Sequence, residues 1–226
     1  MGDKGFTVKN LRSTINSLKK RIDFESWFSP DMLETDKKNA DIAPDMPTLY
    51  AQVQNCCLCE LSSTRTKVVF GEGNPKAEIV FIGEAPGRDE DISGRPFVGA
   101  AGQLLTKIIQ AMGFTREDVF ISNILKCRPP NNRNPLPEEI IQCKPYLRQL
   151  LRIIKPKVIC TLGKVATLAL LEQNCPISKL RGNFYDFQGI TVMPTFHPAY
   201  LLRNPSDKKL VWHDMKKIME FLKHKS

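Results

Sequence analysis

The chain has 226 residues, 42% of them hydrophobic, which supports one full-sized core with an appendage and is small for two. No run approaches the roughly 18 apolar residues of a membrane span, and the opening Met1-Gly2-Asp3-Lys4-Gly5 leads into charged sequence instead of an apolar signal core, so the expectation is a soluble, cytoplasmic protein. The net charge of +9 falls unevenly, with 8 basic and 8 acidic side chains in residues 1–55 against 25 and 16 in residues 56–226; a basic body implies a polyanionic partner, nucleic acid before anionic lipid.

Residues 7–23 space Val8, Leu11, Ile15, Leu18 and Ile22 at three and four, which predicts an amphipathic helix that packs on the body or on a partner protein. From Phe24 to Pro47 the pattern dissolves among Ser, Pro, Asp and Lys. This stretch reads as a tether, with Trp27 and Phe28 available to dock. Residues 1–50 are therefore an N-terminal extension and 51–226 the main domain.

The domain alternates strand-like runs at 78–83, 119–125, 157–162 and 190–195 with helix-like segments at 99–112, 137–154, 163–174 and 206–224. Alternation at this spacing implies right-handed βαβ crossovers and a mostly parallel sheet covered on both faces. Ligands then belong at the carboxyl ends of the strands. Three polar stretches fall there: the acidic, Gly- and Pro-broken loop Gly83–Asp91, the segment Asn123–Asn134, and Thr195-Phe196-His197-Pro198.

Seven cysteines in a chain read as cytosolic argue against a disulfide framework and for a metal or a reactive thiol. Cys56 and Cys59 form a Cys-x2-Cys pair, with Cys127 after 67 further residues and Cys143 after 15 more. Four such thiolates suit zinc or a 4Fe-4S cluster, and their spacing does not decide between the two. Cys160 lies in an apolar strand and reads as a buried small hydrophobe.

Four motifs, Gly83-Glu84-Ala85-Pro86-Gly87, Gly94-Arg95-Pro96-Phe97-Val98-Gly99, Asn123-Ile124-Leu125-Lys126-Cys127-Arg128-Pro129-Pro130 and His197-Pro198-Ala199-Tyr200-Leu201-Leu202, stand in order with the four-cysteine spacing. Together they resemble the family 4 uracil-DNA glycosylases over about residues 50–226. The resemblance implies a 4Fe-4S cluster on Cys56, Cys59, Cys127 and Cys143, and a three-layer α/β/α sandwich with a four-stranded parallel central sheet. It also implies uracil-containing DNA, single- or double-stranded, as substrate, a monomer, and release of uracil by hydrolysis of the N-glycosidic bond to initiate base excision repair. A sister group that forms a covalent adduct through a histidine in a basic inserted loop has a similar pattern. The segment Cys127–Cys143 here, CRPPNNRNPLPEEIIQC, has no histidine, which favours hydrolysis.

The reaction develops an oxocarbenium-like sugar and a uracil anion, and the base must first leave the stack. Asn123 offers an amide that can donate to uracil O4 and accept from N3–H, a pattern that cytosine reverses. Phe97 resembles the family's stacking platform, and His197 is placed to hydrogen-bond uracil O2 and stabilise the developing anion. The water-activating Asp of the best-known glycosylase family is replaced by Ala85. The acidic partner is then Glu84, with Glu90 second, and Asn132 orients the water. Ala85 and Gly87 expose backbone amides to uracil or a phosphate, with Glu90 also counted in the substrate site. Leu201, Leu202 and Arg203 form a wedge with a phosphate contact, and Arg128, Arg133, Lys126, Ser93 and Ser206 supply further backbone affinity. The cluster is expected to be structural, since the hydrolysis needs no electron. The rival expectation is a non-catalytic Fe-S DNA-binding or electron-transfer accessory of replication. Replication or repair proteins are the expected partners of the N-terminal helix.

Overall fold

The computed structural model describes residues 45–224. The helix expected over 7–23, Trp27, Phe28 and most of the tether lie outside them. Four strands, β2 (Ile79–Gly83), β3 (Phe120–Asn123), β4 (Val158–Leu162) and β6 (Ile190–Thr195), run parallel in the order β3-β2-β4-β6. Each outer member carries a short antiparallel partner: β1 (Glu72–Gly73) on β3 and β5 (Tyr185–Phe187) on β6. The four-stranded parallel centre is the expected one, and the edge strands extend it to a six-stranded sheet.

The central strands are apolar runs because both faces are covered, as parallel strands require. Successive residues of β2 show it: Val80 and Ile82 enter one core cluster, Ile79 and Phe81 the other. The first face is packed by α1 (Met46–Gln54), α2 (Leu61–Thr64), α5 (Pro137–Ile154) and α6 (Lys164–Leu171); the second by α4 (Ala100–Ala111), α8 (Pro198–Arg203) and α9 (Lys208–His224). Two short helices, α3 (Arg88–Ser93) and α7 (Ile177–Leu180), complete the α-helices of the described residues. From β2 the chain steps sideways to β3 through α3 and α4. It then crosses back to β4 through α5 and onward to β6 through α6. Right-handed crossovers in opposite directions put α4 and α5 on opposite faces and leave a crevice above the carboxyl ends of β2 and β3.

Local signals set the helix ends. Pro137 opens α5 in its first turn, the Glu139 carboxylate accepts from the Leu136 amide at 2.7 Å, and Lys155 closes the helix in the left-handed conformation at φ 52°. α1 crosses residue 50 and buries Leu49 and Val53, so the core draws on residues upstream of the expected domain start at 51. Cys160 lies in the second core with no exposed surface. Among the described residues, no helix is long and apolar enough to cross a membrane.

Candidate active site

The three polar strand ends meet. Glu84, Ala85, Gly87 and Glu90 from the loop after β2, Phe97 from the next turn, Asn123 at the end of β3, Asn132, and His197 and Arg203 beyond β6 all line one open cleft of about 530 Å³. Every residue expected in catalysis or base binding is therefore in its wall. Pro129, Arg133 and Tyr200 also line the cleft; all three sit inside or beside the quoted motifs.

Asn123 pairs in register with Gly83 of β2 and is 1% exposed. Its Oδ1 is buried without a hydrogen-bond partner among the described residues. A buried acceptor of this kind is met in folded proteins by a protein, water or ligand donor, and leaving it unpaired costs about 1–3 kcal/mol. A Cβ built on Gly83 would stand 2.4 Å from that oxygen and 2.5 Å from Phe97 Cζ. Gly83 is thus the floor on which the amide and the ring converge.

Phe97 is 7% exposed, and its ring centroid lies 5.8 Å from that of His197, tilted by 33°. The two rings are neighbouring walls of the cleft. Gly163, at φ 90°, passes under the histidine where a side chain would crowd its Cβ at 3.0 Å. His197 caps the amino end of α8, its Nδ1 accepting from the Ala199 amide at 3.1 Å. An accepting ring nitrogen carries no proton, so in the neutral ring the hydrogen sits on Nε2. Burial, reinforced by the Arg203 charge and opposed by Glu90, pushes the imidazole pKa down to about 4. The ring is therefore a neutral donor at physiological pH.

At the end of β6, Asp214 of α9 is fully buried, accepts from Thr195 Oγ1 at 2.6 Å, and is bound by Arg181 Nε at 3.0 Å and by Nη2. Arg181 also lies over the Phe196 ring. This network fixes the end of β6, and a lone Asp in a Lys-rich helix gives little sequence signal for it.

The two acids of the loop have different parts. Burial, with no charged or hydrogen-bonding group among the described residues offsetting it, raises the Glu84 carboxyl above its ordinary range. Glu90 instead accepts from the amides of Gly87 (3.1 Å), Val98 (2.9 Å) and Gly99 (3.0 Å). Both its oxygens are engaged by backbone, so Glu90 ties the two loops together while also lining the cleft. Asn132 Oδ1 accepts from Arg128 Nε at 2.7 Å, which leaves the amide nitrogen as its free donor.

The DNA-contact expectations divide. Leu202 is 46% exposed beside Arg203, but Leu201 is 0% exposed in the second core; the helix points the adjacent leucines in different directions, and of the two only Leu202 is at the surface. Lys126 is corrected as well. At 2% exposure it cannot touch phosphate, and its Nζ donates to Ser122 Oγ (2.5 Å) and to the Asn123 carbonyl (2.8 Å). Arg133 is held by Glu139 at 2.5 Å yet lines the cleft, while Ser93 and Ser206 are exposed.

A second hollow is lined by Cys56, Cys59, Cys127 and Cys143 together with Val53, Leu58, Leu61 and Leu125. The thiols come from the ends of α1 and α2, the segment after β3, and α5. Arg65 Nη1 donates to Cys127 Sγ at 3.3 Å and the Lys126 amide to Cys143 Sγ at 3.3 Å. Burial raises Cys59 and Cys127 and pushes Cys143 up to about 12. Among the described residues, no three or more His, Cys, Asp or Glu side chains are grouped as they would be around a single ion.

Residues 70–218 match the sequence model of the Uracil DNA glycosylase superfamily. The chain is 48% identical over 183 residues to a type-4 uracil-DNA glycosylase of Saccharolobus solfataricus, spanning 77% of this chain and 85% of that protein. It is 47% identical over 182 residues to one of Thermotoga maritima, spanning 79% and 95%. A type-5 uracil-DNA glycosylase of Pyrobaculum aerophilum is more distant, 30% identical over 146 residues and spanning 57% and 64%.

Proposed function

We propose that this chain, which belongs to the uracil DNA glycosylase superfamily and within it to the type-4 uracil-DNA glycosylases, removes uracil from DNA by hydrolysing its N-glycosidic bond. The observation that carries the reading is the buried, unpartnered Asn123 Oδ1 in the cleft wall. Uracil N3–H is the donor it lacks. Cytosine presents an acceptor there and would leave two acceptors opposed.

The steps follow from the residues. The flipped base stacks on Phe97 and is read by Asn123. As the bond to C1′ lengthens, charge grows on uracil O2, and His197 Nε2–H, already oriented by the Ala199 amide, stabilises it without a proton transfer. Glu84 faces the growing positive charge of the sugar and takes a proton from the attacking water. Asn132, its oxygen held by Arg128, donates to that water. Leu202 fills the space the base leaves in the stack, with Arg203 and Arg128 on phosphate.

The four cysteines suit a 4Fe-4S cluster. They line one hollow, and two of their sulfurs receive N–H donors of the kind that support a thiolate cluster. When bound, such a cluster would tie the 56–59 segment to Cys143 and to Cys127, the latter four residues beyond Asn123.

A non-catalytic accessory role is not favoured, because binding alone does not call for Glu84, Asn123 and His197 in one cleft. Incubation with a uracil-containing oligonucleotide followed by alkali is expected to cut the strand, and Asn123→Ala to slow excision at least about 100-fold. No scission by the wild type, or undiminished scission by the variant, would sink the reading.

A further inference from the structure

We propose that Arg116 is a positioning residue for the base-stacking platform, holding the backbone of Phe97 in a left-handed turn from behind the cleft, with Glu72 holding Arg116 in turn. The inference rests on the reading of Phe97 as the ring that stacks on the flipped base.

Phe97 has φ 52°, a conformation in which an L-residue's Cβ crowds its own carbonyl and which a bulky side chain leaves unless its surroundings oppose this. Two successive carbonyls here converge on one guanidinium. Arg116 Nη2 donates to the Pro96 carbonyl at 2.7 Å and Nη1 to the Phe97 carbonyl at 3.1 Å. The remaining donors are also used: Nε and Nη2 bind Glu72 Oε1 at 3.0 and 2.6 Å, and Nη1 binds Thr106 Oγ1 of α4 at 3.1 Å. A planar fork with its donors at fixed angles specifies where both carbonyls must be.

The rest of the turn is secured independently. Gly102 of α4 lies so close that a Cβ on it would fall 1.9 Å from the Phe97 oxygen, while Glu90 takes the next two amides, those of Val98 and Gly99. Arg116 therefore sets the carbonyl side of the turn and Glu90 the amide side. Arg116 itself does not line the cleft, so it reaches the substrate only through Phe97. Glu72 sits on edge strand β1 and pairs with both Arg116 and the exposed Arg95. Burial would raise its carboxyl, but the two guanidiniums together hold it below the ordinary range.

A double-mutant cycle tests this. Single-turnover excision is measured for wild type, Phe97→Ala, Arg116→Gln, the double variant and Arg116→Lys, with melting temperatures alongside. Arg116→Gln is expected to slow excision about 10- to 100-fold in the wild-type background, as displacement of a positioned group by about 1 Å does. In the Phe97→Ala background it should change the rate less than about threefold, because the two act through one ring. Arg116→Lys, with one ammonium for acceptors on three segments, should not rescue. Equal losses in both backgrounds would overturn the proposal. If Arg116→Gln does not fold, Glu72→Gln takes its place with the same non-additive pattern expected. Should Phe97→Ala leave excision unchanged, the stacking reading fails. A crystal structure of Arg116→Gln then decides the inference by itself: Phe97 leaving its left-handed φ supports it, and Phe97 unmoved refutes it.

Discussion

Gly83→Ala adds one carbon where the cleft has no room for it. Its Cβ would lie 2.4 Å from Asn123 Oδ1, 2.5 Å from Phe97 Cζ and 2.8 Å from Phe97 Cε2, against the 3.4 Å at which ordinary contact begins. One of the two groups, or the strand beneath them, must retreat by about 1 Å, which for a group positioning a reacting base costs about 100-fold in rate. Gly83 is not among the residues of positive φ, so alanine meets no backbone objection and the effect isolates the steric one. Overpacking costs about 1–3 kcal/mol, or of order 5 °C in melting temperature for a chain of this size. The assay is single-turnover release of uracil from a labelled oligonucleotide, with a thermal melt of the same sample. Excision within about threefold of wild type would mean that Asn123 and Phe97 are not held against this floor during the reaction, and would refute the reasoning.

Glu84→Gln should abolish most excision while raising the melting temperature at neutral pH. The folded carboxyl titrates above its unfolded value, so its ionisation destabilises the fold as pH rises through that range, and the gain should vanish near pH 4. His197, with its folded pKa about 4 against the ordinary 6.5, binds fewer protons folded than unfolded between those values, so its contribution to stability falls as pH drops from 6.5 towards 4. It should add no inflection to the rate profile above pH 5, and an inflection near 6.5 lost in His197→Gln would contradict the neutral-donor assignment. Leu201→Ala should destabilise by about 2–5 kcal/mol as a core truncation, whereas Leu202→Ala should leave the melt unchanged and slow excision from duplex more than from single-stranded DNA. Cys143→Ala should remove absorbance near 400 nm and iron from anaerobically purified protein; iron-free wild type would exclude the cluster.

The parallel centre of the fold was legible because Ile79–Ile82, Phe120–Ile121 and Val158–Cys160 are β-rich apolar runs that only a doubly covered sheet can bury. Edge strands β1 and β5 were not, since runs of two and three residues are too short to establish a strand period. Motif positions located the cleft, but they did not assign faces or partners. Leu201 and Leu202 are adjacent and chemically identical, and only the phase of α8 sends one inward. A carboxylate in an acidic loop marked Glu90 for the site it does line, but its bonds to the Gly87, Val98 and Gly99 amides could not be foreseen, because backbone amides have no residue identity to read. The same holds for Arg116, whose carbonyl acceptors leave no trace in the sequence. Lys126 looked like a phosphate contact in a basic motif, yet the Ile124–Cys127 stretch is buried throughout.

The two short edge strands have a consequence for self-association. Four parallel strands alone would expose unpaired amides and carbonyls along both margins, a template on which another molecule could add strand upon strand. Here each margin ends in an antiparallel strand, of two residues on one side and three on the other, too short to recruit a neighbour. Among the described residues the sheet therefore offers a second copy no long open edge on which to pair.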